Sequence, residues 1–350
     1  MRAITVLPGV ANSGRLDDVP EPPRSDGSIL ARAWALGVCG TDREILAGQH
    51  GAPPPGAERL ILGHESLGVV EEAPAESGFA PGDLVVGIVR RPDPVPCPAC
   101  AAGEWDMCRN GLYTERGIRE RHGYGAERFR VEPDFAVKLD PALGLLGVLM
   151  EPTSIVAKGW DHAERIGRRS RSWRARELLV IGAGPIGLLA ALIGVQRGLD
   201  VHVFDRNSTG PKPDLVRRLG GTYHTGDLAD IDHLAPDIIM ECTGAPAVVL
   251  AALRHPAPDK IVCLAGLSAP GKMIELDAGL FNRTMVLENQ AAFGTVNANR
   301  EHYEDAARVL AAADRDWLGR MISRRVGLDH WPEALDYRRD DIKVVLDFTI

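Results

Sequence analysis

The segment LLVIGAGPIGLLAALIGV, residues 178–195, restricts the fold of this chain more than any other stretch of it. An apolar run leads into glycines spaced as G-x-G-x-x-G, and a second apolar run follows Pro185. The length of the segment raises the question of a membrane span. Its four glycines and its proline near the start favour a buried strand, a tight turn and a helix instead. We therefore predict a strand–turn–helix unit here, and no membrane segment.

Strand and helix patterns alternate on both sides of this unit from about residue 176. The predicted order is ELLVIG, a helix from Pro185, DVHVFD, a helix near 211–219, DIIMECTG, a helix from Ala247, and KIVCLAG. Because such alternation joins parallel strands through crossover helices, it predicts an α/β fold with a doubly wound parallel sheet.

The three spaced glycines predict a dinucleotide site at the turn. Gly182 permits the tight turn, Gly184 lets a pyrophosphate approach the backbone, and Gly187 allows close packing of helix on strand. The next strand ends in Asp205, at the distance expected for a carboxylate that binds the ribose 2′-hydroxyl. The alternative is that the glycines serve strand and helix packing alone.

The residues after that strand leave two cofactors open. Asp205 favours NAD, because its carboxylate repels a 2′-phosphate. Arg206 could stack on the adenine or accept the phosphate of NADP, and Lys212 lies nearby in sequence. NAD is the prediction, with NADP possible.

The sequence pattern of the first half of the chain predicts a β-rich domain with many turns. Short apolar runs, among them AITVL, ILARAWALGV, ESLGVVEEA, DLVVGIV and AERFRVE, are broken by glycine and proline. Near the other end, residues 300–313 have helical periodicity, and IKVVLDFTI reads as a closing strand.

Composition excludes several classes of partner. The formal net charge of −8 over 350 residues gives no electrostatic reason to expect nucleic acid or an anionic membrane. The basic run at 165–176 is interpreted as a solvated connection, with a nucleic-acid arm as the alternative. Six cysteines are too few for a disulfide scaffold. With no signal peptide in MRAITVLPGV, the chain is predicted to be cytoplasmic, with a small-molecule substrate.

Four residues form a candidate metal set. Cys39 lies in GVCGTD, His64 and Glu65 lie in LGHESLG, and Glu151 lies in VLMEPTS. A thiolate, an imidazole and one or two carboxylates suit a catalytic zinc, which keeps one position open for water or substrate. Taken singly, each has an ordinary alternative: a buried cysteine, a hydrogen-bonded histidine, or a glutamate in a turn.

The order of these motifs resembles that of the zinc-dependent medium-chain alcohol dehydrogenases. GVCGTD, LGHESLGVV, PGDLVV, EPTSIVAKG and VIGAGPIGLLAA occur in the family's order over nearly the whole chain. AGQHG, VRRPDP, GLYTERGIRERHGY, AGLFNRTMVLENQ and GTVN are similar to the glucose dehydrogenase branch. The resemblance implies a GroES-like catalytic domain over 1–155, a Rossmann dinucleotide-binding domain over 156–296, and a return to the catalytic domain over 297–350.

The same resemblance implies the ligands of two zinc ions. Cys39, His64 and Glu151 hold the catalytic zinc, and Glu65 is close enough to join or exchange. In DPVPCPACAAGEWDMC, the last three ligands of the family's structural zinc correspond to Cys97, Cys100 and Cys108, and Asp93 is the candidate for the fourth. An empty lobe or a disulfide is the alternative. Cys242 and Cys263 are predicted to be core residues.

The implied reaction is hydride transfer from C1 of an aldose to NAD(P)⁺, which gives the lactone. Thr41, two residues past Cys39, is placed to pass the hydroxyl proton outward, and His50 continues that relay, binds the sugar, or is a plain loop histidine. Glu115 and Asn297 are the candidate sugar contacts, with Thr41 and Glu151 beside them. The alternatives are a surface salt bridge from Glu115 to Arg116 or Arg119, and a turn role for Asn297.

The cofactor contacts implied around the glycine turn and the nicotinamide form a larger set. They are Gly182, Gly184, Pro185, Ile186, Gly187, Asp205, Arg206, Ala265, Gly266, Leu267, Thr295, Val296 and Asn297. Alternative substrates are a polyol, an amino sugar or another secondary alcohol, and a nucleotide sensor without catalysis is the alternative outside the enzymes. Family likeness also suggests a homo-oligomer, either dimer or tetramer.

Overall fold

The computed structural model describes all 350 residues, which form two compact units. The first unit comprises Met1–Ser154 and Asn297–Ile350, and the second comprises Ile155–Val296. The division after Ser154 lies one residue before the predicted domain boundary.

The secondary structure consists of nineteen strands, ten α-helices and seven 3-10 helices, one of which, Pro141–Leu149, leads directly into the α-helix Met150–Gly167. The strands are β1 (Arg2–Val6), β2 (Arg15–Asp18), β3 (Ile29–Val38), β4 (Leu60–Ile61), β5 (Glu65–Glu72), β6 (Leu84–Gly87), β7 (Arg90–Arg91), β8 (Thr114–Arg116), β9 (Glu120–Arg121), β10 (Arg128–Val131), β11 (Ala136–Lys138), β12 (Glu177–Ile181), β13 (Asp200–Phe204), β14 (Thr222–His224), β15 (Ile238–Glu241), β16 (Ile261–Leu264), β17 (Ala291–Gly294), β18 (Ile322–Gly327) and β19 (Lys343–Asp347). The helices are α1 (Gly40–Leu46), α2 (Pro98–Ala101), α3 (Met150–Gly167), α4 (Pro185–Gln196), α5 (Pro211–Leu219), α6 (Pro246–Arg254), α7 (Ala278–Leu287), α8 (Arg300–Ala312), α9 (Arg315–Met321) and α10 (Trp331–Leu335).

The first unit is built on a seven-stranded sheet in the order β11-β6-β5-β3-β19-β18, with β10 also paired to β3. Strand β19, from the end of the chain, pairs antiparallel with β3, and β5 pairs with the other edge of β3. The register sets Gly37 of β3 opposite Glu65 of β5 and opposite Val345 of β19. Pairing of these strands therefore places Glu65, at the start of β5, close to β19, although the two segments are far apart in sequence.

The second unit contains six parallel strands in the order β14-β13-β12-β15-β16-β17. Its first strand is central, and successive strands are added outward on both sides, as in doubly wound dinucleotide-binding sheets. The point where the strand order reverses lies beside β12, which leads into the glycine-rich turn.

The predicted fold class is confirmed. Helix α4 begins at Pro185 and α5 covers Pro211–Leu219, as predicted, whereas α6 begins at Pro246, one residue earlier than predicted. The small sheet of β7, β8 and β9 was not predicted, because strands of two or three residues leave no periodic pattern.

One helical stretch is long and apolar enough to cross a membrane. It is Pro141–Gly167, with a mean hydropathy of 1.2, and 72% of the qualifying window is buried inside the protein. Buried core helices pass the same length and composition test. The segment 178–195, which raised the question from sequence, instead forms β12, the turn and α4.

Candidate active site

Cys39 and His64 meet in the first unit. Cys39 is the N-cap of α1, and its sulfur accepts a hydrogen bond from the backbone of Thr41 at 3.3 Å. Its Sγ lies 3.1 Å from Nε2 of His64. A thiolate is the form of cysteine that binds metal. One ligand atom each from Cys39, His64 and Glu65 lies within 4.8 Å of the others.

Asp42 orients the imidazole. Its Oδ2 accepts from the backbone of Cys39 at 3.0 Å, and its Oδ1 lies 3.4 Å from Nδ1 of His64. Burial opposes charge on the ring, but the neighbouring Cys39 and Asp42 outweigh it and raise the pKa of His64 well above its usual value. With Nδ1 facing a carboxylate, Nε2 is turned toward the sulfur, which is the usual arrangement of a metal-binding histidine.

Lys343 holds the carboxylate of Glu65. Its Nζ lies 2.7 Å and 2.6 Å from the two oxygens, and both side chains are 2% exposed. Burial lowers the pKa of Lys343, but Glu65 and Cys39 outweigh it, so the net shift is upward. Gly37 lies directly opposite, where an added Cβ would overlap the Glu65 carboxylate. The cation and the missing side chain at Gly37 together make this position possible for Glu65.

Glu151 is buried near this group, at the start of α3. Burial raises its pKa to about 7, with His64 lowering and Glu65 raising the value. Its carboxylate is not among the three ligand atoms that lie within 4.8 Å of one another. The structure thus brings Cys39, His64 and Glu65 together, with Glu151 electrostatically coupled to them.

The two proposed relay residues lie on α1 and in the loop after it. Thr41 is partly buried, directly after the sulfur-capped turn. His50 is exposed, and its Nδ1 lies 3.7 Å from Glu44. That distance is too long for a hydrogen bond, and the role of His50 stays a prediction.

Glu115 and Asn297 form a direct pair. Nδ2 of Asn297 donates to Oε1 of Glu115 at 2.7 Å, although the residues are 182 positions apart. Arg90 donates to the same oxygen from Nε at 3.2 Å and Nη2 at 3.0 Å. Arg90 thus takes the place of the surface partners weighed from sequence, because Arg119 pairs with Glu120 and Arg116 turns toward backbone carbonyls. Asn297 has φ +61°, in the left-handed region that asparagine tolerates.

The three cysteines of the lobe also converge. Their sulfurs lie within 4.8 Å of one another. Cys97 caps α2 and accepts from the backbone of Arg109 at 3.4 Å and of Cys100 at 3.5 Å; these bonds lower its pKa to about 6. Burial raises the pKa of Cys100 to about 11. Apposed thiols with backbone N–H donors are typical of structural zinc sites.

Asp93 does not join the three-thiol group. Its Oδ1 accepts from the backbone of Val95 at 2.8 Å, and its Oδ2 accepts from Asn110 at 2.7 Å. The carboxylate is therefore used to close the loop ahead of Cys97. Asp93 is 2% exposed as a residue, so these two bonds satisfy buried acceptor atoms.

The glycine-rich turn between β12 and α4 leaves open space beside its backbone. Gly182 has φ +104°, and a Cβ on Gly187 would overlap the Gly182 carbonyl oxygen, so both positions exclude larger residues. A Cβ on Gly184 meets nothing within 4 Å. Pro185 and Ile186 begin α4, so the turn presents helix N–H groups to the open space at Gly184. This arrangement fits a pyrophosphate.

The remaining cofactor candidates lie at the carboxyl ends of the parallel strands. Asp205 is buried after β13, whereas Arg206 is exposed. After β16, the backbones of Ala265 and Gly266 donate to Glu241 O at 2.8 and 3.0 Å, and Leu267 is 78% exposed. After β17, Thr295 Oγ1 is buried without a hydrogen-bond partner, and Lys158 donates to the carbonyl of Val296 at 2.9 Å.

Three residues of the site have no role in the sequence interpretation: Asp42, Arg90 and Lys343. Asp42 could have been found from its spacing, because a residue three positions after an N-cap closes a capping box. Arg90 and Lys343 gave no local signal, since their partners lie in other strands and became neighbours only through the sheet.

Two family descriptions together cover most of the chain. Residues 25–141 match the alcohol dehydrogenase GroES-like domain, and residues 144–348 match the glucose dehydrogenase C-terminus. The first match gives the class, a dehydrogenase that has a GroES-like domain as well as a parallel-sheet domain. The chain belongs to the glucose dehydrogenase branch of the zinc-dependent medium-chain alcohol dehydrogenase family. The predicted family is thereby confirmed.

Individual relatives are similar to this chain along its whole length. The chain is 41% identical to glucose 1-dehydrogenase 1 of Caldivirga maquilingensis and 40% identical to glucose 1-dehydrogenase of Methanocella arvoryzae, in both cases with 99% of each chain covered. It is also similar to the structure of Haloferax mediterranei glucose dehydrogenase in complex with NADP, Zn and gluconolactone. There the TM-score is 0.91 and the identity 31%, with 100% of both chains covered.

Proposed function

We propose that this chain is a zinc-dependent sugar dehydrogenase. It oxidises C1 of a glucose-like aldose, passes the hydride to NAD(P)⁺, releases the hydroxyl proton and gives the aldonolactone. The single observation that carries the proposal is the convergence of the Cys39 sulfur, the His64 ring and the Glu65 carboxylate within 4.8 Å. Full-length similarity to glucose 1-dehydrogenases supports the substrate class.

The donor set fits zinc. A thiolate, an imidazole whose second nitrogen faces a carboxylate, and nearby carboxylates are the ligands that this ion takes in catalytic sites. Cys39 and His64 would hold it, with Glu151 or Glu65 as the third protein ligand. When bound, zinc supplies the Lewis acidity that lowers the pKa of a sugar hydroxyl.

The chain's own residues supply orientation and proton movement. Asp42 orients the His64 ring. Lys343 forms an ion pair with Glu65 and balances the charge of that carboxylate. Thr41 is the candidate to receive the C1 hydroxyl proton and pass it outward. Glu115 and Asn297 are the candidate partners for the other sugar hydroxyls, held by Arg90 in a fixed geometry. Fixed polar partners discriminate among sugars because unmade hydrogen bonds are costly.

The second unit would hold the dinucleotide. The pyrophosphate would lie against Gly182, Gly184 and Gly187. It would occupy the open space beside Gly184, which a side chain at that position would otherwise fill. Asp205 and Arg206 would face the adenosine ribose. Ala265 to Leu267 and Thr295 to Asn297 would border the nicotinamide half. The lobe of Cys97, Cys100 and Cys108 would hold a structural zinc ion, with Asp93 as the candidate fourth ligand only if it leaves its present partners.

The proposal also includes the assembly of this chain into a homo-oligomer, a dimer or a tetramer, in the cytoplasm. Strand β17 is a terminal strand of its sheet, and its sequence AAFG has no charged or proline residue that would discourage edge pairing. Leu280, Val286 and Leu287 of the neighbouring α7 are 51% to 66% exposed. Light scattering coupled to size exclusion tests this: a monomer at micromolar concentration would contradict it.

One comparison tests the function. Purified protein should reduce NAD⁺ or NADP⁺ with glucose or a related aldose, and Cys39→Ser should abolish turnover while NADH binding by fluorescence is retained. Cys263→Ser is the matched control, because that cysteine is buried in β16. No activity on any aldose would contradict the proposal. Joint loss of turnover and nucleotide binding in Cys39→Ser would assign Cys39 to folding.

A further inference from the structure

The end of β13 carries a buried ion pair that bears on the choice of cofactor. We propose that Lys212 makes the adenosine site accept the 2′-phosphate of NADP as well as the 2′-hydroxyl of NAD, by neutralising Asp205. The inference rests on the proposed function, since it concerns the same dinucleotide. It identifies Lys212 as the residue that determines cofactor specificity.

The hydrogen bonds of Asp205 account for both cofactors. Its Oδ2 accepts from Ala183 N at 2.8 Å and from Lys212 Nζ at 3.2 Å, and its Oδ1 accepts from Asn207 N at 2.9 Å. A carboxylate offers about four acceptor positions, and three are used by the chain itself. About one position is left for a ribose hydroxyl, so NAD retains a partner.

The charge balance explains the tolerance of a phosphate. An isolated Asp205 carboxylate would repel a 2′-phosphate, which carries between about −1.5 and −2 at pH 7. Lys212 cancels that carboxylate at contact distance, and the two side chains are only 11% and 8% exposed. Because screening by solvent is weak at such a position, the lysine has a large effect on the local potential. The exposed Arg206 adds a second cation after the strand.

The position of Lys212 is fixed by the fold. It is the second residue of α5, directly after Pro211, which begins that helix. The loop between β13 and α5 is tied back by Tyr223, whose hydroxyl donates to the carbonyl of Asn207. The ammonium group is thereby held against Asp205 before any ligand arrives, as a specificity residue requires.

The test measures binding, independently of turnover. Dissociation constants for NADH and NADPH are measured by cofactor fluorescence, and those for 5′-AMP and adenosine 2′,5′-bisphosphate by calorimetry. The wild type should bind NADH and NADPH within about tenfold of each other, because the carboxylate is both neutralised and still able to accept. Lys212→Met should weaken NADPH and the bisphosphate by about tenfold or more, because the Asp205 carboxylate is then no longer neutralised and repels the 2′-phosphate. NADH and AMP should change by less than about threefold.

Controls separate this inference from its alternatives. Arg218→Met removes a cation from an exposed position on the same helix and should leave both affinities unchanged. Asp205→Asn should strengthen NADPH and weaken NADH. If Lys212→Met fails to fold, Lys212→Gln, which keeps a donor for Asp205 without the charge, should show the same loss of NADPH affinity. Equal shifts for both cofactors, or a change of preference caused by Arg206→Ala and not by Lys212→Met, would overturn the role of Lys212. Failure of the wild type to bind either cofactor would reject the proposed function itself.

Discussion

Asn297 donates a 2.7 Å hydrogen bond to Glu115, and Arg90 donates two further hydrogen bonds to the same carboxylate oxygen. Asn297 is the first residue of the chain's return to the first unit, and Glu115 lies in the small sheet of β7, β8 and β9. Two candidate sugar contacts from distant segments therefore form one polar group. The Glu115 side chain is 12% exposed and the Arg90 side chain 5% exposed, so the group is largely shielded from water.

Glu115→Gln tests whether this group binds the sugar. The substitution keeps the shape and removes the charge, so it should raise the KM for aldose by about tenfold, as expected when one charged hydrogen bond is weakened. The KM for the nucleotide and the zinc content should stay unchanged. Steady-state kinetics and metal analysis measure these quantities.

The control for that experiment is Glu120→Gln on the adjacent strand β9. Glu120 is exposed and pairs with Arg119, so its loss should affect neither KM. A lower thermal midpoint for Glu115→Gln with an unaltered sugar KM would show that the Glu115–Asn297 pair only holds the fold together.

Lys343→Met tests the buried pair with Glu65. Removing one partner leaves an uncompensated charge in the interior, which costs about 3–5 kcal/mol. We expect a marked fall in the urea midpoint of unfolding, and Lys343→Met combined with Glu65→Leu should recover much of the loss because both charges are then gone. Urea titrations of zinc-loaded and EDTA-treated protein measure this.

Lys138→Met is the comparison for the lysine, since Lys138 is 48% exposed in its pair with Asp83. That change should cost no more than about 1 kcal/mol. If the two lysine variants unfold at the same urea concentration, the charge of Lys343 is not needed to stabilise the buried Glu65.

Much of the fold could be predicted from the sequence, because its signals are local. The glycine turn, the alternating strands and the helix starts at Pro185 and Pro211 each follow from a few adjacent residues. Lys343 and Arg90 could not be predicted in the same way. They acquire their partners Glu65 and Glu115 only when strands from distant segments pair, and one sequence contains no signal for that register.

Asp93 stays a prediction as the fourth ligand of the three-cysteine lobe. Its position relative to the cysteines made it the candidate fourth ligand, and in the structure Val95 and Asn110 donate hydrogen bonds to its carboxylate. An aspartate side chain readily accepts hydrogen bonds from nearby backbone N–H groups, and the path of the backbone in a short loop decides which of these groups it can reach.

Zinc analysis of lobe variants tests that reading. The wild type should contain about two zinc ions per chain, and Cys100→Ser should lose one of them because three thiolates are reduced to two. Asp93→Ala should keep both ions, since the carboxylate is engaged elsewhere, but should lower the thermal midpoint. Inductively coupled plasma mass spectrometry gives the counts. Loss of one zinc ion in Asp93→Ala would show that Asp93 is a ligand in the loaded protein.

Glu132 gives a pH-dependent prediction away from both metal sites. Its Oε2 lies 2.7 Å from Arg91 and 3.9 Å from Arg116, and its Oε1 contacts Arg121. Burial opposes the charge, but the three guanidinium groups outweigh it and hold the pKa of Glu132 below its ordinary value of 4.5. Because the folded state has the lower pKa, the stabilisation is complete above pH 4.5 and is lost as the pH falls through the folded-state value.

Glu132→Gln should therefore destabilise the protein by about 2 kcal/mol at pH 7, which is typical for a charged hydrogen-bonded group. The difference from the wild type should hold down to about pH 5 and shrink below that, as the wild-type carboxylate takes up its proton. Urea midpoints of both proteins at intervals from pH 7 to pH 3.5 measure it, with the exposed Glu76→Gln as control. A constant difference across the whole range would mean that packing, and not the charge of Glu132, accounts for the loss.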